Sequence, residues 1–188
     1  IVFAGCKKNS GPSNPTPNPN NNVYTQSKIS NFPGSARDLA VAFTINGVGY
    51  AGLGKKNNLF FGDFYKYDVT QNIWIQKLDF PGKSRFSAEG FALTTYGYIG
   101  TGLNLHGYYE NDFYAFEDVT DNWMVVAALP TQGRKGACSF TINDKAYFGT
   151  GIDTTATRLN DWWEYTALVG NEEISESIQY SVFPNPTS

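Results

Sequence analysis

Few side chains in this sequence could act as catalysts, and they do not form a recognisable catalytic set. The chain has one histidine, His106, and two cysteines, Cys6 and Cys138. A nucleophile needs a base nearby, and a metal site needs several His, Cys or carboxylate ligands. The two cysteines lie in contexts too different to favour a disulfide. We therefore expect no catalytic residue, no metal and no cofactor, and a solvated His106.

Charge and composition restrict the classes of partner. The chain of 188 residues has 14 basic and 17 acidic residues and a formal net charge of −3, which excludes the basic field that nucleic acid requires. It is 41% hydrophobic and 16% aromatic, as suits one all-β domain with a proper core. No run approaches the roughly 20 apolar residues of a membrane-spanning helix. Membrane association would need a separate anchor.

Residue types recur every 48 or 49 positions through the middle of the chain. The recurring residues are Pro33, Pro81 and Pro130; Arg37, Arg85 and Arg134; Phe43, Phe91 and Phe140; Asp63, Asp112 and Asp161; Trp74 and Trp123. The period defines three repeats, at about 32–79, 80–128 and 129–168, in a module that spans 23–168.

Each repeat has the pattern of four short strands. In the first, apolar runs at 39–45 and 47–53 flank Asn46-Gly47, a strong signal for a tight hairpin turn. Alternating segments follow at 64–67 and 74–78. Four strands without an amphipathic helix predict the blade of a β-propeller.

Three features of these strands resemble the kelch repeat. They are a Gly-x-Gly strand end, an Asp before two aromatic residues, and a Tyr-Asp pair followed by a Trp. The residues concerned are Gly52, Gly54, Asp63, Tyr67 and Trp74; Gly100, Gly102, Asp112 and Trp123; Gly149, Gly151 and Asp161. All three repeats have Gly-x-Gly where kelch repeats usually have a double glycine. The resemblance implies an all-β fold of three four-stranded antiparallel blades, a partial propeller in which these residues are structural.

Three blades are too few to close a ring. The third repeat has no counterpart of Trp74, whereas residues 23–29 are similar to 73–78 and could supply a closing outer strand. Two explanations stay open for the missing blades. Either blades have been lost or truncated, or two copies form a dimer that closes a six-blade ring, each closing strand completing the partner's third blade.

Both ends of the chain resemble export signals. Ala4-Gly5-Cys6 resembles a bacterial lipobox, which implies that 1–6 ends a signal peptide and that Cys6 receives lipid. Residues 7–22 form an Asn/Pro-rich linker. In the linker at 169–188, the final Phe-Pro-Asn-Pro-Thr-Ser is similar to the start of a type IX secretion sorting domain. The implied location is the outer membrane or cell surface as a lipoprotein, or the exterior as a secreted protein.

Four charged residues are candidates for ligand binding. Arg37, Arg85 and Arg134 precede the inner strands, and the kelch resemblance places them near the channel mouth, where they could grip carboxylates or hydrogen-bond a neighbouring loop. Glu89 lies on an inner strand and is expected to face the channel or the next blade. Cys138 aligns with Glu89, which predicts a buried or channel-facing thiol.

The loops between second and third strands vary among repeats, at 55–62, 103–111 and 152–160. Variable loops on a regular scaffold commonly carry recognition. We expect a non-catalytic envelope or surface module that binds a protein or glycan through these loops. The alternative is a kelch-fold enzyme, such as a sugar mutarotase of the sialic-acid kind, that uses the four charged residues in a completed propeller.

Overall fold

A computed structural model of the chain describes residues 25–166 and 181–182. These residues form strands joined by turns and loops, and within them no helix is long and apolar enough to cross a bilayer. The candidate lipidation site Cys6, the linker at 7–22 and the sorting-domain motif at 183–188 lie outside the described residues.

The strands follow one another closely. They are β1 (Val41–Ile45), β2 (Val48–Gly52), β3 (Lys55–Lys56), β4 (Leu59–Phe60), β5 (Phe64–Asp68), β6 (Ile73–Gln76), β7 (Arg85–Phe86), β8 (Glu89–Leu93), β9 (Tyr96–Gly100), β10 (Leu103–Asn104), β11 (Phe113–Glu117), β12 (Asn122–Val126), β13 (Arg134–Lys135), β14 (Cys138–Ile142), β15 (Lys145–Gly149), β16 (Ile152–Asp153), β17 (Trp162–Thr166) and β18 (Ser181–Val182).

The larger strands form three antiparallel four-stranded sheets. Their orders are β1-β2-β5-β6 in blade 1, β8-β9-β11-β12 in blade 2 and β14-β15-β17-β18 in blade 3. The inner strands β1, β8 and β14 lie side by side. Asn46 and Gly47 form the predicted turn with φ of 49° and 79°, the left-handed conformations that such a hairpin requires. The predicted all-β fold of three four-stranded blades is confirmed.

The outer strand of blade 3 differs from the expectation. Ser181–Val182 pairs with Trp163 and Glu164 and takes the fourth position. Residues 25–30 form no strand, and Ser30 lies against blade 1, where its carbonyl accepts a 3.4 Å hydrogen bond from Trp74 Nε1. Leu78 makes the corresponding contact with Trp123 in blade 2, at 2.9 Å. Ser30 and Leu78 therefore take equivalent positions, each against the blade that follows it.

The Gly-x-Gly pairs mark the point where each second strand meets the third. A methyl group at Gly52 would overlap the backbone of Asp63, so only glycine allows this approach. Gly54 has a φ of 92°, a conformation that strains other residues. Close approach at Gly52 and positive φ at Gly54 therefore both require glycine where the second strand of this repeat ends.

Each blade packs one face of its sheet against the opposite face of the next blade. We call the first the leading face and the second the trailing face. The leading face of blade 1 has Val41, Phe43, Ile45, Tyr50 and Phe64, which form a buried cluster with Ile99, Phe116 and Trp123 of the trailing face of blade 2. Leading-face residues Phe91, Leu93, Tyr98 and Phe113 of blade 2 likewise join Ala146, Phe148, Trp163 and Tyr165 of blade 3. Burial of these large apolar side chains is the main favourable contribution to the fold.

A glycine on the trailing face provides space for an aromatic ring. The ring of Phe43 lies over Gly97 so closely that a methyl group there would overlap it. Ion pairs continue the contact at the rim, since Lys66 Nζ lies 2.6 Å and Lys77 Nζ 3.4 Å from the carboxylate of Asp118. The contact between blades 1 and 2 therefore combines an apolar centre with a charged edge.

We expect Gly97→Ala to lower the free energy of unfolding by about 1–3 kcal/mol, because the added methyl must displace the Phe43 ring from a packed interface. Urea denaturation monitored by tryptophan fluorescence measures the change. Val119→Ala, at a position that is 93% exposed, serves as the control and should change stability by less than about 0.5 kcal/mol. Equal stability of Gly97→Ala and the wild type would contradict this packing.

Candidate binding face

The three recurring arginines each form a bidentate ion pair with the recurring aspartate of the same blade. The pairs are Arg37 with Asp63, Arg85 with Asp112, and Arg134 with Asp161. In blade 2, Arg85 Nη2 lies 2.9 Å from Asp112 Oδ2, and Arg85 Nη1 donates a 3.0 Å hydrogen bond to the carbonyl of Thr101. Thr101 is the middle residue of its Gly-x-Gly. Each guanidinium thus joins the entry to an inner strand, the end of the second strand and the start of the third.

Burial of these arginines favours the structural alternative over ligand binding. The side chains of Arg85 and Arg134 are 0% exposed and that of Arg37 is 4% exposed. Burial alone would raise the pKa of Asp161, but hydrogen bonds from Arg134 and Trp163 outweigh it and hold this pKa below its usual value. Because the guanidinium groups of the three arginines are already paired with carboxylates, they do not offer a ligand a free pair of N–H donors.

Glu89 is the fourth candidate, and of the two expected positions, channel or next blade, it takes the one facing the next blade. Its Oε1 accepts a 2.8 Å hydrogen bond from Ser139 Oγ on β14. Desolvation by burial raises the pKa of Glu89 against the lowering effect of Ser139. Its carboxylate is thus held on the inner strands by a hydroxyl, apart from the Arg–Asp pairs.

The cysteine and histidine do not join a reactive cluster. Cys138 was expected to be buried or to face the channel, but it is exposed, and its Sγ lies 3.4 Å from Thr150 Oγ1. The reason is that β14 belongs to the last described blade, so no further blade covers its outer face. His106 is exposed in its loop, as predicted. Within residues 25–166 and 181–182, no three His, Cys, Asp or Glu side chains come together as metal ligands.

Two of the variable loops are built on a buried polar residue. Asn104 is 1% exposed, and its Oδ1 accepts hydrogen bonds from the backbone N–H groups of His106 and Tyr108. Asp153 holds the corresponding position in blade 3 and accepts from the backbone of Thr155 and Thr157. These side-chain acceptors add to backbone hydrogen bonds within the loops, such as that from Asn104 N to Tyr108 O at 3.0 Å. The loops are therefore ordered platforms with outward-pointing side chains.

A row of lysines and aromatic rings crosses the blades on the loop side. Lys55 Nζ of blade 1 lies 4.4 Å from the ring centre of Phe86, and Lys135 Nζ of blade 3 lies 5.7 Å from the same ring. Lys135 also lies 5.2 Å from the ring of Tyr109. Beside them, Lys83 Nζ lies 5.8 Å from the ring of Tyr108, which is 64% exposed. We call these six residues the lysine–aromatic row.

The row offers positive charge beside the exposed ring of Tyr108 and the half-buried ring of Tyr109, whereas Phe86 is 7% exposed and lies beneath the lysines. Cations held over aromatic faces stay partly desolvated and can still pair with an anion. Sequence reasoning identified the loops but missed Lys135, Lys83 and Phe86, which lie outside them. Their position immediately before the inner strands, next to Arg85 and Arg134, was the available signal.

Comparison with known proteins supports the fold only. No protein-family model matches the chain, and no curated protein matches it. Among solved structures, that of YjhT matches with a TM-score of 0.69 and 17% identity, over 85% of this chain and 55% of that one. The chain therefore spans little more than half the length of that protein. At this identity, the likeness shows that the chain belongs to the class of all-β proteins built from blades.

We expect Arg85→Met to cost about 3–5 kcal/mol of unfolding free energy, because it leaves the Asp112 carboxylate and the Thr101 carbonyl without their partner. The matched control is Lys83→Met, which removes an exposed ion pair with Glu110 and should cost less than about 1 kcal/mol. Chemical denaturation distinguishes the two variants. Similar small losses in both would show that Arg85 has no structural role.

We expect Glu89→Gln to stabilise the protein at pH 7, since a folded-state pKa above the unfolded value disfavours folding of the ionised form. The glutamine can still accept the hydrogen bond from Ser139. The advantage should shrink as the pH falls through the folded pKa and vanish below the unfolded value of about 4.3. Melting temperatures from pH 4 to 8 test this, and a variant less stable than the wild type at pH 7 would refute it.

Proposed function

We propose that this chain is a kelch-type, non-catalytic module of the cell envelope or surface that binds a protein or glycan through its loop face. The observation that carries the proposal is the lysine–aromatic row, which joins residues of three blades in one continuous surface. Ammonium groups attract carboxylates, and aromatic rings pack on the apolar faces of sugars or peptide side chains. The row therefore suits a ligand with carboxylate groups.

Charge on this face supports an anionic ligand although the whole chain has a formal charge of −3. Lys55, Lys83, Lys135 and the exposed Arg158 contribute positive groups. Three acidic residues offset part of this charge: Glu110 pairs with Lys83, Asp153 is 2% exposed within its loop, and the exposed Asp38 lies beside Lys55. The local excess of positive charge favours encounter with an anion.

The enzymatic alternative depends on residues that have other partners. A mutarotase-like site would use Arg37, Arg85, Arg134 and Glu89, but the arginines are paired with aspartates inside the blades. Glu89 alone stays available as a carboxylate on an inner strand. Binding through the loops is therefore the better-supported function.

Attachment to the envelope rests on sequence motifs. The Ala4-Gly5-Cys6 motif and the Asn/Pro-rich stretch at 7–22 support a lipid on Cys6 and a spacer that holds the blades away from the membrane. In that arrangement the module binds its ligand outside the cytoplasm.

A glycan array and a panel of acidic peptides, probed with the purified 188-residue chain, test the function. We expect retention of carboxylate-bearing ligands, and we expect Lys135→Ala to weaken binding about tenfold because it removes a charged contact. Lys28→Ala makes the same charge change at an exposed position outside the row and should leave binding unchanged.

Two outcomes would contradict the proposal. Equal weakening by Lys28→Ala and Lys135→Ala would mean that binding follows net charge and not the row. Faster interconversion of sugar anomers, measured by NMR and abolished by Glu89→Gln, would support the enzymatic alternative instead.

A further inference from the structure

The leading face of blade 3 is uncovered in the described residues. Phe140 is 47% and Ile142 52% exposed, whereas their counterparts in blade 2, Phe91 and Leu93, are 4% and 3% exposed. Phe140 nevertheless stacks on Tyr147 with ring centres 5.2 Å apart, as Phe91 stacks on Tyr98 at 5.3 Å. Blade 3 thus presents the same preformed aromatic surface that blades 1 and 2 bury.

The trailing face of blade 1 has the opposite shape. Gly49 is the counterpart of Gly97, which lies under the ring of Phe43, but a methyl group at Gly49 would meet nothing within 4 Å. Ala42 and Thr44, on the neighbouring strand, are exposed. Around Gly49 this face is therefore a shallow hollow lined by small residues, at the position that receives the ring of Phe43 in blade 2.

A backbone hydrogen bond from the second glycine of Gly-x-Gly to the arginine of the next blade recurs between blades. It has no counterpart at the two uncovered faces of the described residues. Gly54 N donates to Arg85 O at 2.9 Å between blades 1 and 2, and Gly102 N donates to Arg134 O at 2.7 Å between blades 2 and 3. The next members of this series are Gly151 N on blade 3 and Arg37 O on blade 1. Gly151 lines an open groove of about 430 Å³, together with Gly136, Ile152 and Arg158.

We propose that two copies of this chain close a six-blade ring. The leading face of blade 3 in each copy packs on the trailing face of blade 1 in the other, Phe140 lies over Gly49, and residues 37–39 occupy the groove at Gly151. The two contacts are related by a two-fold axis and cover all four exposed faces at once. No strand is exchanged, because Ser181–Val182 already completes blade 3.

We choose a second copy because the leading face of blade 3 and the trailing face of blade 1 are complementary. Two contacts within the chain already join faces of these two kinds. The contact between blades 1 and 2 places an aromatic ring on a glycine, and the contact between blades 2 and 3 places one beside Ala146. Another copy of the chain has both faces, so each end face would meet the surface that it meets within the chain.

The mass of the 188-residue chain in solution, measured by light scattering after size exclusion, tests the ring. We expect twice the 20.8 kDa of one chain. Gly49→Val fills the hollow, and its Cβ meets no atom of its own chain within 4 Å, so it should give a folded monomer with an unchanged circular dichroism spectrum. Val119→Glu, at a highly exposed turn, should remain a dimer. A wild-type monomer at every concentration would overturn the proposal.

Cross-linking tests which faces meet. Val41 packs against Gly90 between blades 1 and 2, and the corresponding pair in the ring is Cys138 and the Ala42 of the other copy. In a Cys6→Ser background, Ala42→Cys should therefore oxidise to a reducible covalent dimer, since the two Cβ atoms come within disulfide reach. Val119→Cys is the control and should stay uncross-linked.

The number of chains in the cross-linked product also tests whether the ring closes. A single covalent dimer agrees with a ring, whereas a ladder of higher oligomers would show that the contact forms an open chain and would overturn the ring. Binding of glycans or peptides is measured separately with Gly49→Val, whose lysine–aromatic row is unchanged. Failure of the ring and failure of the proposed function are therefore distinguishable.

Discussion

The packing of an aromatic leading face on a small-residue trailing face is the contact on which the whole structure depends. A single four-stranded sheet cannot bury Phe43, Tyr50 and Phe64 by itself, and it does so only against the next blade. This requirement gives the inner strands their side-by-side order. It also explains why a glycine stands at position 97, where no side chain fits beside the ring of Phe43.

The Arg–Asp pairs connect this packing to the loop face. Each guanidinium holds the start of an inner strand against the Gly-x-Gly strand end and the Asp of the third strand. A buried charge of this kind is stable only when paired and hydrogen-bonded, which is the case for Arg85. Because the ends of the strands are held from within, the loops outside them can differ among blades, and the lysines beside Arg85 and Arg134 are placed over aromatic rings.

The repeat period, the four strands and the Asn46-Gly47 turn could be predicted because each depends on residues close in sequence or on strict recurrence. The Arg–Asp pairing was open, since recurrence at equal spacing fits a ligand site and a structural pair equally well. The lysine–aromatic row could not be predicted, because Lys55, Phe86 and Lys135 come from three repeats and meet only when the blades stack. The outer strand of blade 3 was missed for a similar reason, since Ser181–Val182 lies beyond a polar stretch without strand alternation.

The end faces of the three blades show how far the repeat pattern persists. Here Phe140 and Ile142 keep the residue types of positions that are buried in blades 1 and 2, and at the other end Gly49 keeps the hollow of Gly97. The exposed residues Ala42 and Thr44 lie beside Gly49. The same interaction that joins the blades within the chain therefore remains available at both ends, and its geometry links the faces of two copies in the order in which the blades already follow one another.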